Sequence, residues 1–183
     1  MTKEQTEDIL TRLKRDDRTA LKDLFQHQYP PVCQVIWRFV PDRALAEDLA
    51  QEVFLRFWEK RAQIEVNSSL PAYLRRMAIN EALAYLRRHK HYEETEFEPQ
   101  FESASGQSVE DRYLHGELEE HIKQAIATLP PKCRAVFQLS RFEELTYNEI
   151  ANQMGISVKT VENQMGKALK LMRERLLPYL REG

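Results

Sequence analysis

Apolar residues recur at three- and four-residue steps along most of the chain, the spacing of helices that each bury one face. Leu21, Leu24, Phe25, Gln28 and Tyr29 share a stripe that Pro30-Pro31 interrupt, and Val32, Val35, Ile36 and Phe39 form a second before Pro41. Asp42 stands where it can N-cap a long helix bearing Leu45, Leu49, Val53 and Phe57. After the polar turn Asn67-Ser68-Ser69, Pro71 suits the first turn of a helix running to about His89. Leu74, Met77, Ala78, Ala82 and Leu86 would face inward. This half predicts three or four helices.

The pattern then lapses. Tyr92–Asp111 has no Lys, contains Pro99 and Gly106, and offers little apolar surface, so like charges should keep it extended or disordered. Periodicity resumes with Ser108 as a possible cap and Leu114, Leu118, Ile122, Ala125 and Leu129 as a stripe. Pro130-Pro131 stop that helix and start another bearing Val136, Phe137 and Leu139. Thr146 and Glu149 have the spacing of a capping box opening a short helix, Tyr147 to Met154. Gly155 permits a tight turn, and Ser157 can cap a final helix with Val158, Val161, Met165, Leu169, Met172 and Leu176 inward. No strand-like alternation competes. The expectation is an all-α chain of two small helical domains, residues 1–90 and 117–183, joined by an acidic flexible linker, 91–116; the alternative is one domain with a long surface loop.

Charge sharpens that division. The net charge of −2 conceals +3 over residues 1–90, −9 over 91–120 and +4 over 121–183. Two basic blocks flank an acidic one, so the overall balance says little about affinity for nucleic acid. No apolar run approaches the ~20 residues that span a bilayer, and MTKEQTEDIL is no signal peptide. Cys33 and Cys133 form no CxxC, which argues against a disulfide framework or a zinc site and for a reducing cytoplasm. His27, His89, His91, His115 and His121 have no metal-ligand spacing, and no phosphate loop or nucleophile motif occurs. No catalytic residue, metal or cofactor is expected.

The sharpest signal is TYNEIANQMGISVKTVENQMGKAL. Ala151 is small where two helices cross, Gly155 can take positive φ, and Ile150, Ile156 and Val161 seal the contact, as in a helix-turn-helix. The outer face of its second helix is Lys159, Thr160, Asn163, Gln164 and Lys167, with Lys170 and Arg173 beyond. Asn and Gln can read adenine edges, and Lys can meet guanine or phosphate. A helical hairpin with a solvated charged face has the same spacing. The flanking caps, the positive balance and the single acid Glu162 on the first exposed turns favour DNA.

Two other helices carry surplus chemistry. In AEDLAQEVFLRFWEKR, Phe54, Leu55 and Trp58 extend past the inward stripe, beside Asp48, Gln51 and Glu52. That surface suits a basic amphipathic partner, but on composition alone the aromatics are better read as filling the core of the small domain. The helix from Pro71 carries Arg75, Arg76, Arg87 and Arg88 with Asn80 interleaved and only Glu81 opposing. Phosphate neutralisation and contact with unpaired bases would use those groups; a solvated basic face would use them too.

Taken in order, DLAQEVFLRFWEKR, YLRRMAINEALAYLRR, the acidic linker and LPPKCRAVFQLSRFEELTYNEIANQMGISVKTVENQMGKALKLMRERL resemble an extracytoplasmic-function sigma factor over Ala20–Lys90 and Glu117–Leu180. The resemblance implies a promoter-specificity subunit of bacterial RNA polymerase, with sigma domain two in the first block and domain four in the second. Asp48, Gln51, Glu52, Phe54, Leu55 and Trp58 would dock on the clamp coiled coil of the largest subunit, with the flap of the second-largest as a further contact. Asn67, Ser68, Arg75, Arg76, Asn80, Arg87 and Arg88 would bind and open the −10 element, although the turn QIEVNSSLPAY varies widely in the family. Lys159, Thr160, Asn163, Gln164, Lys167, Lys170 and Arg173 would read the −35 element. The linker would lie in the RNA exit path. The free chain would be monomeric and answer to an anti-sigma factor, membrane-bound in the branch that the final helix most resembles. The rival readings are a dimeric helix-turn-helix repressor acting without polymerase and a polymerase-bound scaffold that no longer reads DNA.

Overall fold

Polar side chains placed just ahead of apolar stripes set where the helices begin. The computed structural model describes residues 3–64, 69–89 and 113–181. Among these the elements are all helical: α1 (Lys3–Lys14), α2 (Arg18–Phe39), α3 (Arg43–Lys60), α4 (Leu70–Arg88), α5 (Tyr113–Ala127), α6 (Pro131–Arg141), α7 (Tyr147–Met154) and α8 (Val158–Arg181). They fall into two compact units, Met1–Arg88 and His89–Gly183. Ser108 and residues 91–112 of the expected linker lie outside the described residues, while residues 113–116 already belong to α5.

In the first unit α1 was not foreseen; it buries Leu10 and Leu13 against α2. Asp17 caps α2, its carboxylate accepting from the Thr19 and Ala20 backbone N–H groups and from Arg12 Nε at 2.9 Å. Bonds from the Thr19 side chain, then from Arg12, hold its pKa at about 2 against an ordinary 3.8. A depressed carboxylate pKa contributes stability that is complete above the unfolded value and lost as pH falls through the folded one. Asp17→Asn should therefore lower the melting temperature at neutral pH, with the gap from wild type closing between about pH 4 and pH 2. A gap that persists unchanged at pH 2 would show that the cap works through geometry rather than charge.

The two expected helices around Pro30-Pro31 are one. α2 runs through both prolines, which have no N–H to offer the carbonyls of Gln26 and His27. The helix continues because Leu24 on one side and Val32, Val35, Ile36 and Phe39 on the other are buried on a single face against α3 and α4. At about 1.5–3 kcal/mol per buried side chain, those five outweigh the ~3 kcal/mol each proline costs. Asp42 caps α3 through Leu45 N as expected, and Leu49, Val53 and Phe57 point inward. Ser69 accepts from Ala72 N and caps α4, with Pro71 in the first turn. Leu70, Leu74, Ala78, Ile79, Ala82 and Leu83 of α4 are buried, while Met77 and Leu86 are half-buried. So is a charge that the apolar pattern did not place inside: Glu81, 4% exposed.

In the second unit Ala125, Ile126, Leu129, Cys133, Ala168 and Met172 form a core, with Ile122, Phe137, Leu171 and Leu176 packed on it. Arg134 is buried beneath the end of α5 and donates to the carbonyls of Ala127 and Leu129 at 2.6 and 3.0 Å. Desolvation pulls its guanidinium down to about 10. The capping box at α7 is complete: Thr146 N donates to Glu149 Oε2 at 2.8 Å, and Glu149 N to Thr146 Oγ1 at 3.3 Å. Gly155 ends α7 in the left-handed region at φ +67°. Leu169 departs from expectation at 43% exposure. Steps of 3.6 residues align Val161, Met165, Ala168 and Met172 on the inner face, so Leu169, one residue past Ala168, turns about 100° outward. Leu118 also faces solvent.

Candidate nucleic-acid and partner interfaces

The start of α8 is set by its cap: Ser157 Oγ accepts from Thr160 N at 3.1 Å, and its hydroxyl is 2.8 Å from that of Thr160. Ile150, Ala151, Val161 and Met165 are buried between α7 and α8, which fixes the outward face of α8. On it Lys159, Asn163, Lys167, Lys170 and Arg173 are exposed along one helical flank. Lys159 reaches Glu162 at 3.2 Å and Lys170 reaches Glu174 at 4.0 Å, both as open surface pairs. The two remaining residues expected here are engaged within the protein. Thr160 turns back to its cap, and Gln164 is half-buried, with Oε1 accepting from Cys133 Sγ of α6 at 3.0 Å. A side chain at Gly166 would meet nothing within 4 Å, so packing within the unit does not demand that glycine.

α3 presents a second surface. Asp48 and Gln51 are exposed, Glu52 half-exposed, and Leu55, at 59%, stands in solvent between turns of the helix. Trp58 is half-buried under the Arg61 guanidinium, 3.9 Å from the ring centroid. For Phe54 the core reading holds and the exposed docking position does not. It is buried, edge-on to Phe25 at 4.9 Å, and Phe25 stacks on Tyr29 at 4.6 Å. Tyr29 Oη donates to Glu47 O at 3.3 Å, and burial raises its pKa. The stripe from Leu21 to Tyr29 reads as core in sequence, yet Phe25 is 37% exposed and widens the α3 surface onto α2. The surplus of aromatics over what one inward face can hold, legible in sequence on α3, extends to Phe25 of α2.

α4 gives the third surface. Arg76, Asn80, Arg87 and Arg88 are exposed and Arg75 is half-exposed. Arg75 also lines a pocket of about 190 Å³ between α2 and α4, with Val32, Val35, Pro71 and Ala72. Arg88 reaches Glu81 at 3.2 Å. Asn67 and Ser68 lie outside the described residues. Among the described residues no group of three or more His, Cys, Asp or Glu side chains could hold a metal ion, and no helix is long and apolar enough to cross a membrane.

The chain thus has two helical units, one built round a helix-turn-helix with a basic outer flank and the other round a basic helix. Residues 24–92 match the family model for Sigma-70 region 2, and residues 119–172 match that for Sigma-70, region 4. The RNA polymerase sigma-H factor of Pseudomonas aeruginosa is 30% identical over 192 residues, an alignment that covers 100% of both chains. The ECF RNA polymerase sigma factor SigW of Bacillus subtilis is 28% identical, over 91% of this chain and 94% of its own. The fold is also that of the sigma factor RpoE solved with the anti-sigma factor NepR from Bartonella quintana: TM-score 0.53 and 21% identity, over 85% of this chain and 95% of that one. The chain belongs to the extracytoplasmic-function family of RNA polymerase sigma factors. It is an alternative sigma factor that directs transcription with RNA polymerase.

Proposed function

We propose that the chain seats on core polymerase through the α2–α3 surface and then reads a promoter at two places. Asp48, Gln51, Glu52, Leu55 and Trp58, flanked by Phe25, meet the basic clamp coiled coil of the largest subunit. The flap of the second-largest subunit seats the second unit. Arg75, Arg76, Asn80, Arg87 and Arg88 of α4, with Asn67 and Ser68 ahead of it in sequence, take the −10 element and its separated strand. Lys159, Asn163, Lys167, Lys170 and Arg173 of α8 take the −35 element, with Thr160 and Gln164 bordering them. On this reading domain two is 1–90 and domain four is 117–183 with the start of α5 added, so the linker of 91–116 loses its last four residues to that helix.

One observation carries the reading: two exposed basic faces, on α4 and α8, sit on separate units of one chain. Each offers only a few phosphate contacts, and affinity scales steeply with their number. The acidic segment between them repels DNA from the free chain. Polymerase fixes the spacing of the two faces, so the second contact becomes intramolecular with the first. Strand opening is then driven by capture of unstacked bases, and the chemistry of RNA synthesis remains that of the polymerase. An anti-sigma factor, like the partner bound to the Bartonella quintana relative, would hold the chain by covering these surfaces.

Reconstitution tests the whole. Start-site mapping after overexpression supplies a promoter, and purified chain with core polymerase should initiate there well above core alone. Initiation no better than core alone defeats the proposal, and a symmetric footprint without polymerase would favour a dimeric repressor instead.

A further inference from the structure

Glu81 is a buried carboxylate that carries two guanidinium groups. Its Oε2 lies 2.7 Å from Arg56 of α3, and its Oε1 lies 3.2 Å from Arg88, seven residues on in α4. Arg56 is itself shared, its Nε 3.1 Å from Glu52. Glu52, Arg56, Glu81 and Arg88 thus form one line of alternating charge, from the surface assigned to polymerase to the surface assigned to DNA. The outer members are accessible, Glu52 at 44% and Arg88 at 58%, whereas the Glu81 side chain is 4% exposed and depends on its two cations for solvation.

We propose that Glu81 is a positioning residue that holds Arg88 back in the free chain and yields it to DNA once a cation of the polymerase engages Glu52. The sign of each step follows from Coulomb's law. A cation at Glu52 weakens that carboxylate's hold on Arg56. Arg56 then settles on Glu81 alone, which reduces the negative charge left for Arg88. A nearby phosphate becomes the better partner for Arg88, whose long side chain is already half in water. Docking would thereby prepare the −10 face without movement of any helix. The inference rests on the proposed roles of Glu52 and Arg88, so its test must separate those roles from the link between them.

The experiment measures binding of a fluorescent single-stranded DNA, carrying the −10 element of a mapped promoter, to the full chain alone and to holoenzyme across a salt series. Glu81→Gln and Glu52→Gln should each tighten binding by the free chain about threefold and steepen its salt slope by about 0.7, one added phosphate contact. Glu59→Gln, which removes an exposed charge from the same helix outside the line, should change neither. Both gains should vanish in an Arg88→Ala background and be absent in holoenzyme, where Arg88 is already released. Glu52→Gln keeps the test valid if Glu81→Gln impairs folding. A gain from Glu59→Gln equal to that from Glu52→Gln, or one that survives Arg88→Ala, overturns the link. If Arg88→Ala leaves the holoenzyme slope unchanged, the assignment of Arg88 to DNA falls, and the link falls with it.

Discussion

Leu55→Arg is expected to abolish transcription at a cognate promoter while leaving domain two folded and equally stable. Leu55 is 59% exposed on α3, and the buried residues of that helix, Leu49, Val53, Phe54 and Phe57 among them, lie on other faces. Leucine and arginine have similar helix propensity, so an exposed exchange should move stability by no more than about 0.5 kcal/mol. Function should respond very differently. An apolar side chain at the centre of an interface, rimmed by polar groups, commonly contributes 2 kcal/mol or more, about thirtyfold in affinity. Arginine would add a like charge facing a basic coiled coil. Gel filtration with core polymerase should show the variant eluting free, and its thermal melt should overlay wild type.

Phe57→Ala supplies the contrast. Phe57 has no exposed surface, and its truncation should cost about 3–5 kcal/mol through lost burial and an unfilled cavity. Activity would then disappear together with the fold. If Leu55→Arg lowers the melting temperature as Phe57→Ala does, Leu55 belongs to the core. If it still binds polymerase as tightly as wild type, the docking surface lies elsewhere on the unit. Phe54 cannot make this distinction, because its ring is packed between Phe25 and the body of the domain.

What the sequence disclosed follows the range of the forces involved. Asp42 bonding to Leu45, the Thr146–Glu149 box, Ser157 capping Thr160 and the left-handed Gly155 are contacts within three residues or single backbone angles. They are legible because local chemistry alone decides them. Pro30-Pro31 misled because burial along all of α2 outweighs two local penalties, and that burial depends on α3 and α4. Ala168 took the core position expected of Leu169 because it lies in line with Val161, Met165 and Met172, and the angular position fixed by packing against α5, α6 and α7 decides burial ahead of hydrophobicity.

The candidate sites divide in the same way. Lys159, Asn163 and Lys167 are exposed as a 3.6-residue repeat requires once Val161 and Met165 are inside. The inward bond of Gln164 was invisible, because its partner Cys133 is 31 residues away on α6. Glu81 looked like a lone acid on a basic helix; its burial depends on Arg56, on another helix. Sequence periodicity finds the faces, and contacts between helices decide which side chains on them remain free.

Replacing Lys159 and Lys167 together by alanine should remove about half of the electrostatic grip of α8 on the −35 element without disturbing polymerase binding. Both side chains are exposed on the outer flank of α8, and alanine is at least as good a helix former, so domain four should fold as before. Glu162, 3.2 Å from Lys159, does not cancel its charge, because so exposed a pair is worth at most about 1 kcal/mol and gives way to phosphate. Each lysine that neutralises one phosphate contributes about 0.9 to the slope of log affinity against log salt. The double variant in holoenzyme should therefore lose about 1.8 from that slope on duplex −35 DNA. Its affinity should fall by a similar factor on every −35 sequence, because phosphate contacts carry no base information. Asn163→Ala should behave oppositely, leaving the slope intact while relaxing discrimination at one base pair. An unchanged slope in the double variant, with core polymerase still bound, would mean that α8 does not lie in the groove and would leave a polymerase-bound scaffold as the better description.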